Sequence, residues 1–162
     1  RRRFAAWQFF TAPEFTRAWI ADEGREAVFT AAHGWLRGAA VGGFGGAVGW
    51  AVAEAELGPL AGASVAAAGL IPDGAVVHAV ASRTVAAITG AASYRVGDGV
   101  NVDRFGSGLG VAAGSTNRGV IAPTAYYGPT DVVVDAQAGV FTGGRVRVSV
   151  LYVAVVIPGA GG

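Results

Sequence analysis

The chain of 162 residues lacks three residue types entirely: cysteine, methionine and lysine. Without cysteine it has no disulfide, no thiolate metal site and no cysteine nucleophile. Without lysine a phosphate-binding loop of the P-loop type is excluded. Because methionine is missing as well, we expect the chain to be a fragment, a processed product or an excised domain.

Charge is also scarce. Charged residues make up 14% of the chain, every positive residue is arginine, and the net charge is +1. A balance this close to neutral provides no field that would hold a polyanion, so nucleic acid is not an expected partner. The run Arg1-Arg2-Arg3 is an exception that we interpret as a solvated end.

No apolar run is long enough to cross a membrane as a helix. The longest, from Val148 to Ile157, is interrupted by Ser149 and has about half the length that a spanning helix needs. The sequence therefore predicts no membrane insertion, although 52% of its residues are hydrophobic. No signal peptide is visible at the N-terminus.

Glycine is abundant, at 27 residues, and glycine-containing clusters separate short segments rich in valine and alanine. Many short strands with regular turn punctuation are typical of an antiparallel sandwich. We therefore predict an all-β fold, a jelly-roll-like antiparallel β-sandwich with a small aromatic-rich β-element at its N-terminus. The predicted strands are 51–57, which would also suit a helical turn, 63–67, 75–81, 84–88, 93–96, 119–121, 131–135 and 145–157. The predicted turns include Pro72-Asp73-Gly74, Gly97-Asp98-Gly99, Gly106-Ser107-Gly108, Gly128-Pro129-Thr130 and Thr142-Gly143-Gly144.

Three regions follow from this pattern. Residues 1–37 form the N-terminal element, the end of a longer region, with a hairpin of 17–21 and 25–30 around a glycine-containing turn. Residues 38–49 contain six glycines and no charge, which indicates a linker. Residues 50–162 form the sandwich module. The aromatic residues expected to build the core of the N-terminal element are Trp7, Phe9, Phe10, Trp19, Phe29 and Trp35.

The last predicted strand indicates self-association. Arg145, Arg147 and Ser149 alternate with valines, so one face of this half should meet solvent and the other the core. From 151 to 157 both faces are apolar, which implies cover on both sides. A neighbouring copy is the cover we expect, and the chain is predicted to be a homo-oligomer.

Residues 50–158 contain several distinctive motifs, namely Gly62-Ala63-Ser64-Val65, Leu70-Ile71-Pro72, Ser82-Arg83, Ala87-Ile88-Thr89-Gly90-Ala91, Arg104-Phe105-Gly106-Ser107, Gly114-Ser115-Thr116-Asn117 and Phe141-Thr142-Gly143-Gly144-Arg145-Val146-Arg147-Val148. Together these motifs resemble the C-terminal module of head spike or fibre proteins of gene transfer agents and related tailed-phage and prophage proteins. The segment 19–24 with Trp35 resembles the end of the Trp-rich region that precedes this module.

The resemblance implies attachment of a particle to the surface polysaccharide of a host cell. It also implies a location on the surface of a virion or virion-like particle, a trimer as the form of the homo-oligomer, and other spike or capsid proteins as neighbours. No catalytic residue is carried over from the family.

Sugar binding requires an aromatic face flanked by planar polar groups. Three loops offer this combination, and their candidate residues are Tyr94 with Arg95; Asn101, Asp103, Arg104 and Phe105; and Asn117 and Arg118 followed by Tyr126 and Tyr127. Adjacent tyrosines beside a Gly-Pro turn also occur as packed rim residues, and the Asp103–Arg104 pair is also compatible with a loop salt bridge.

The sequence gives weaker support for catalysis or for ion binding. Asp131 and Asp135 would lie roughly 13 Å apart on one strand, and Glu54 with Glu56 has the pattern of the solvent side of an edge strand. The loop 98–103 has three oxygen-bearing side chains but departs from the helix-loop-helix calcium pattern. We expect no catalysis, no metal and no cofactor. The sequence favours a glycan-binding spike module, then a purely structural or trimerisation module, and lastly a capsule-degrading hydrolase.

Overall fold

A computed structural model describes residues 10–159, and these residues fold entirely into β-strands and loops without a helix. All strand pairs are antiparallel, which confirms the predicted fold class. The strands are β1 (Arg17–Ile20), β2 (Arg25–Thr30), β3 (Gly34–Arg37), β4 (Ala40–Val41), β5 (Ala47–Leu57), β6 (Ser64–Ile71), β7 (Val76–Gly97), β8 (Gly106–Leu109), β9 (Thr116–Asn117), β10 (Val120–Ala125) and β11 (Thr130–Val156).

The N-terminal element is a three-stranded sheet in the order β1-β2-β3, and it contains the predicted hairpin. Its buried apolar residues are the small Ala27 and Val28, whereas Trp19 on the edge strand is 67% exposed. The aromatic core predicted for this element is therefore wrong among the described residues. Three short strands leave the large rings uncovered, and only Phe29 is half-buried, edge-on to Trp35 at 5.5 Å. Trp7 and Phe9 lie outside the described residues.

The glycine-rich segment 38–49 pairs into the larger sheet. Ala40 and Val41 of β4 lie opposite Val48 and Ala47, so β5 begins within the segment that the sequence presents as a linker. A hairpin here is compatible with the glycines because the paired residues themselves are alanine and valine. The division of the chain into domains at these boundaries remains a prediction.

Strands β7 and β11 are much longer than any predicted strand, and they pair with each other along most of their lengths. Residues 76–86 pair with 145–153, and residues 89–97 pair with 133–143. The register shifts three times between Gly139 and Val146, around the junction of the two halves, and once more between Leu151 and Tyr152, which indicates bulges. The predicted turn at Thr142-Gly143-Gly144 is wrong: it lies inside β11, where the glycines accommodate a bend.

The bend turns one ribbon into two layers. In the first layer β5 flanks β11, while β9 and β10 flank β7. In the second, β6 flanks β11 and β8 flanks β7. The layers pack face to face, since the hydroxyl of Tyr94 in the second lies 3.4 Å from the hydroxyls of Ser82 and Thr84 in the first. Strands that switch sheets through bulges are typical of β-sandwich corners.

The core lies between these layers and is built mainly from side chains of β7 and β11, among which valine is the commonest. Val146, Val148 and Val150 are at most 1% exposed, while Arg145 and Arg147 face solvent. This alternation is the one predicted for the first half of the last strand. Residues 10–159 include no helix of a length and apolarity that would span a membrane.

Candidate functional site: an arginine groove on the outer face of the sandwich

The outer face of the first layer carries an open groove of about 450 Å³. It lies across β9, β7, β11 and β5, whose pairing sets Thr116 beside Arg83, Arg83 beside Arg147, and Arg147 beside Glu56. We call it the arginine groove, and its lining residues are Glu54, Ala81, Ser82, Arg83, Thr116, Asn117, Arg118, Arg147 and Ser149.

Three arginines give the groove its charge. Arg83 and Arg118 are exposed, and within residues 10–159 neither makes an ion pair or a side-chain hydrogen bond. Arg147 is held by Glu56, to which its Nε donates a hydrogen bond of 2.8 Å. Two guanidinium groups on one open face therefore keep all of their donors available to a ligand.

Glu56 is hydrogen-bonded to two neighbouring arginines. Its carboxylate accepts hydrogen bonds from Arg147 and, at 3.2 Å, from Arg145. The hydrogen bond from Arg147 lowers the pKa of Glu56, with Coulombic attraction adding to the effect. A carboxyl group held in its charged form is poorly suited to act as a general acid.

Asn117 lines the arginine groove but uses its amide within the protein. Its Nδ2 donates to the carbonyl oxygen of Phe105 at 2.7 Å, and its Oδ1 accepts the N–H of Gly119 at 3.3 Å. These bonds fix the short strand β9 against the loop that precedes β8. Asn117 thus positions Arg118, while Arg118 and Arg83 present the free donors.

Arg104 of the second predicted group and Tyr126 of the third belong to a structural cluster around Asp98. The Asp98 carboxylate accepts hydrogen bonds from the Tyr126 hydroxyl at 3.0 Å and from the backbone N–H groups of Val100 and Asn101. Arg104 lies 3.4 Å from the same carboxylate, and its guanidinium lies 6.0 Å from the centre of the Tyr126 ring. Burial, followed by the bond to Asp98, raises the pKa of Tyr126 to about 12.

This cluster also accounts for the loop that the sequence offered as an oxygen-rich ion site. Both Asp98 oxygens already accept hydrogen bonds from the protein, and the side chain is 7% exposed. No group of three potential metal-ligating side chains occurs within the part of the chain that the structure describes. The Asp98 carboxylate anchors the loop to the end of β10.

Two predicted stacking rings are core residues. Tyr94 is 1% exposed and Phe105 2% exposed, so neither offers a face to a sugar. This corrects their expected role. Strand register points Tyr94 of β7 between the two layers, and Phe105, in the loop before β8, packs into the same core. Arg95 faces outward and lies 3.7 Å from Asp135, its cross-strand neighbour.

The remaining predicted residues are exposed but lie away from the groove. Tyr127 is 93% exposed, and the side chains of Asn101 and Asp103 are also open to solvent. Strand β10 runs along β7 from Ala79 to Val76, whereas Asn117 lies beside Ser82. Six residues of strand separate Ser82 from Val76, so Tyr127 lies roughly 20 Å from the groove. The second and third predicted loops do touch, because Arg104 and Tyr126 meet at Asp98 and Asn117 donates to the carbonyl oxygen of Phe105. The three loops do not form one exposed surface, since Tyr94 and Phe105 are buried.

Sequence reasoning missed Arg83 and Arg147 as site residues. Both belong to strands in which charged and apolar residues alternate, and this pattern predicts only that they face solvent. The signal that was available is the single charge at Arg83 within the otherwise uncharged segment 74–94. Its neighbour Arg118 lies 35 residues further along the chain, and only the pairing of β7 with β9 brings the two together.

The carboxylates that the sequence offered for catalysis lie on different strands or are paired with protein groups. Asp131 accepts the N–H of Gly69 at 2.8 Å, and Asp135 faces Arg95. Glu54 and Glu56 lie on the solvent side of β5, as predicted. From Gly49 to Leu57, β5 pairs only with β11 among residues 10–159. This part of β5 is therefore an edge strand.

Comparison with solved structures shows a distant likeness to a phage capsid structure. No family model and no curated protein matches the chain. Its structure is similar to a chain of the cyanophage Pam1 capsid asymmetric unit, with 25% sequence identity, over 71% of this chain and 90% of that chain, at a TM-score of 0.44.

Proposed function

We propose that the chain is a non-catalytic attachment module on the surface of a phage-like particle, of the head spike or fibre type. It binds a host-surface polysaccharide in the arginine groove and acts as a homo-oligomer beside other particle proteins. The observation that carries this proposal is the pair of guanidinium groups of Arg83 and Arg118, which line one open groove and have no partner within residues 10–159. The resemblance of several sequence motifs to gene transfer agent spikes supports the particle context.

The chemistry of the groove suits a sugar polymer. Guanidinium groups donate in a planar fork that matches vicinal oxygens or a carboxylate, and the hydroxyls of Thr116 and Ser149 both donate and accept. The groove is open, so a long chain can lie across the strands without its end having to enter. Arg147, fixed by Glu56, adds a third positioned donor.

Binding without cleavage is favoured by the state of the carboxylates. Glycoside hydrolysis needs a pair of carboxyl groups, of which one keeps its proton near neutral pH. In and beside the groove stand Glu54 and Glu56, and the pKa of Glu56 is lowered by Arg147. A capsule-degrading hydrolase is therefore the weakest of the three functions.

The test is the affinity of the full chain for capsular polysaccharide of recipient cells, together with a glycan array. We expect Arg83→Gln and Arg118→Gln each to weaken binding at least ~10-fold, the loss of one charge-assisted contact. Arg17→Gln is the matched control, because Arg17 is an exposed arginine of the N-terminal sheet that pairs with Glu26. Equal binding by all variants would contradict the proposal, and release of reducing ends would favour the hydrolase.

A purely structural module is the second candidate, and the exposed apolar side chains on β5 and β11 favour it. In that case the chain binds its particle neighbours and no glycan. An intact oligomer that binds none of the recipient's polysaccharides would support this alternative against attachment.

A further inference from the structure

The outer face of the first layer changes from charged to apolar along its strands. The arginine groove occupies the end near Arg147, and beyond Ser149 the side chains become apolar. Six apolar side chains there are between 39% and 76% exposed, and we call this set the apolar face: Val48, Trp50, Val52, Val120, Leu151 and Val155. Together they expose on the order of 500 Å², the size at which an apolar patch on a monomer is often functional.

The apolar face is symmetric about one cross-strand pair. Trp50 of β5 lies opposite Val153 of β11. On one side of this pair Val52 lies opposite Leu151, and on the other side Val48 lies opposite Val155. The order of the side chains is therefore nearly the same in both directions along the strands.

We propose that the apolar face joins two copies of this chain. The two-fold axis would lie in the plane of the face, across the strands, and pass through the Trp50–Val153 pair. In this arrangement Trp50 meets Trp50 of the second copy, and Val52 meets Val48. A two-fold contact uses the same patch twice and so requires a self-complementary patch, which the pattern on β5 and β11 supplies.

Size and polarity agree with a second copy as the occupant. A stable interface buries about 800 Å² per partner, and the apolar face supplies a large part of this area before its rim is counted. None of the six side chains is charged. The imidazole of His78 lies against Trp50, with ring centroids 4.8 Å apart, so the contact would cover this polar ring together with the apolar side chains. Trp50 lies at its centre, where a large aromatic side chain contributes most to binding.

The proposed two-fold contact between copies leaves the arginine groove of each copy open. Rotation about the Trp50–Val153 row places the groove of each copy beyond the edge of the contact, at opposite ends of the pair. Glycan binding and pairing are therefore separable. A trimer of the kind implied by the resemblance would have to use a different surface.

The mass of the full chain in solution tests the proposal. We expect two copies for the native chain, and Trp50→Ala should raise the dissociation constant at least ~30-fold. Trp19→Ala is the matched control, since Trp19 is 67% exposed against 57% for Trp50 but lies on the N-terminal sheet. A single copy or three copies for the native chain would overturn the pairing, and so would an unchanged mass of Trp50→Ala.

Cross-linking tests the two-fold contact without replacing Trp50. Because the chain has no cysteine, Val153→Cys introduces a single thiol on the axis and Arg17→Cys a single thiol away from it. A short bis-maleimide should join two copies of Val153→Cys and leave Arg17→Cys uncoupled. Equal coupling of both variants, or no coupling of Val153→Cys, would refute the two-fold contact.

Discussion

Replacement of Asp98 by alanine should destabilise the sandwich substantially, although the residue lies in a loop. Its carboxylate accepts hydrogen bonds from Tyr126, Val100 and Asn101 and faces Arg104 at 3.4 Å. Each hydrogen bond to a charged group contributes about 1.5–3 kcal/mol, and removal of one partner from a buried charge pair costs about 3–5 kcal/mol.

Solvent reduces this cost because the Arg104 side chain is about one-third exposed and water can replace part of the lost contact. We therefore expect Asp98→Ala to lower the free energy of unfolding by about 3 kcal/mol. Asp98→Asn retains an acceptor oxygen and should cost about half as much. Urea denaturation followed by tryptophan fluorescence measures both variants, provided that the slope with denaturant is unchanged.

Asp103→Ala is the matched control for Asp98→Ala. Asp103 is an exposed carboxylate in the same loop, and its side chain makes no hydrogen bond or ion pair with residues 10–159. Its replacement should change stability by less than about 0.5 kcal/mol. If Asp98→Ala were as stable as Asp103→Ala, the structural role assigned to Asp98, Arg104 and Tyr126 would be wrong.

Two further predictions concern the pH dependence of stability and the bend. The pKa of Tyr126 is about 12 when folded against an ordinary value of 10.0, so its contribution is complete below pH 10 and is lost as pH rises through 12; Tyr126→Phe should flatten the fall in stability between these values, and an unchanged slope would refute the assignment. Gly139→Ala should cost at least ~3 kcal/mol, because Gly139 has φ 131° and an added Cβ would lie 2.1 Å from the carbonyl oxygen of Gly90. Gly74→Ala, with a positive φ but open space around it, should cost only ~1 kcal/mol in the same denaturation assay, and equal costs would argue against a tight bend.

The first half of the last strand could be predicted because its pattern is local. Alternation of Arg145, Arg147 and Ser149 with valines predicts one solvated and one buried face, and this is observed. The same pattern places Glu54 and Glu56 on the solvent side of β5. Period-two alternation needs no knowledge of the neighbouring strands.

The lengths of β7 and β11 could not be predicted, because glycine marks bulges as well as turns. At Thr142-Gly143-Gly144 the sequence signal is the same in either case, and only the partner strand decides. For the same reason Tyr94 could not be recognised as buried. Its face depends on a register that is set by β11.

The arginine groove was predictable only at Asn117 and Arg118. Its other members come from four strands that are distant in the sequence, and their meeting depends on the pairing of β7 with both β9 and β11. The combination of aromatic and polar residues in loops favoured Tyr126 and Tyr127 as binding residues instead. Tyr126 is tied to Asp98, and Tyr127 lies at the other end of β10.

The most direct test of the central claim is an amide chemical-shift map of the isotope-labelled full chain, titrated with recipient-cell polysaccharide. We predict perturbations concentrated at Arg83, Arg118 and Arg147 and their strand neighbours, and little change in the loop from Asp98 to Phe105. Perturbations confined to that loop and Tyr127, or no perturbation at saturating polysaccharide, would contradict a binding site in the arginine groove.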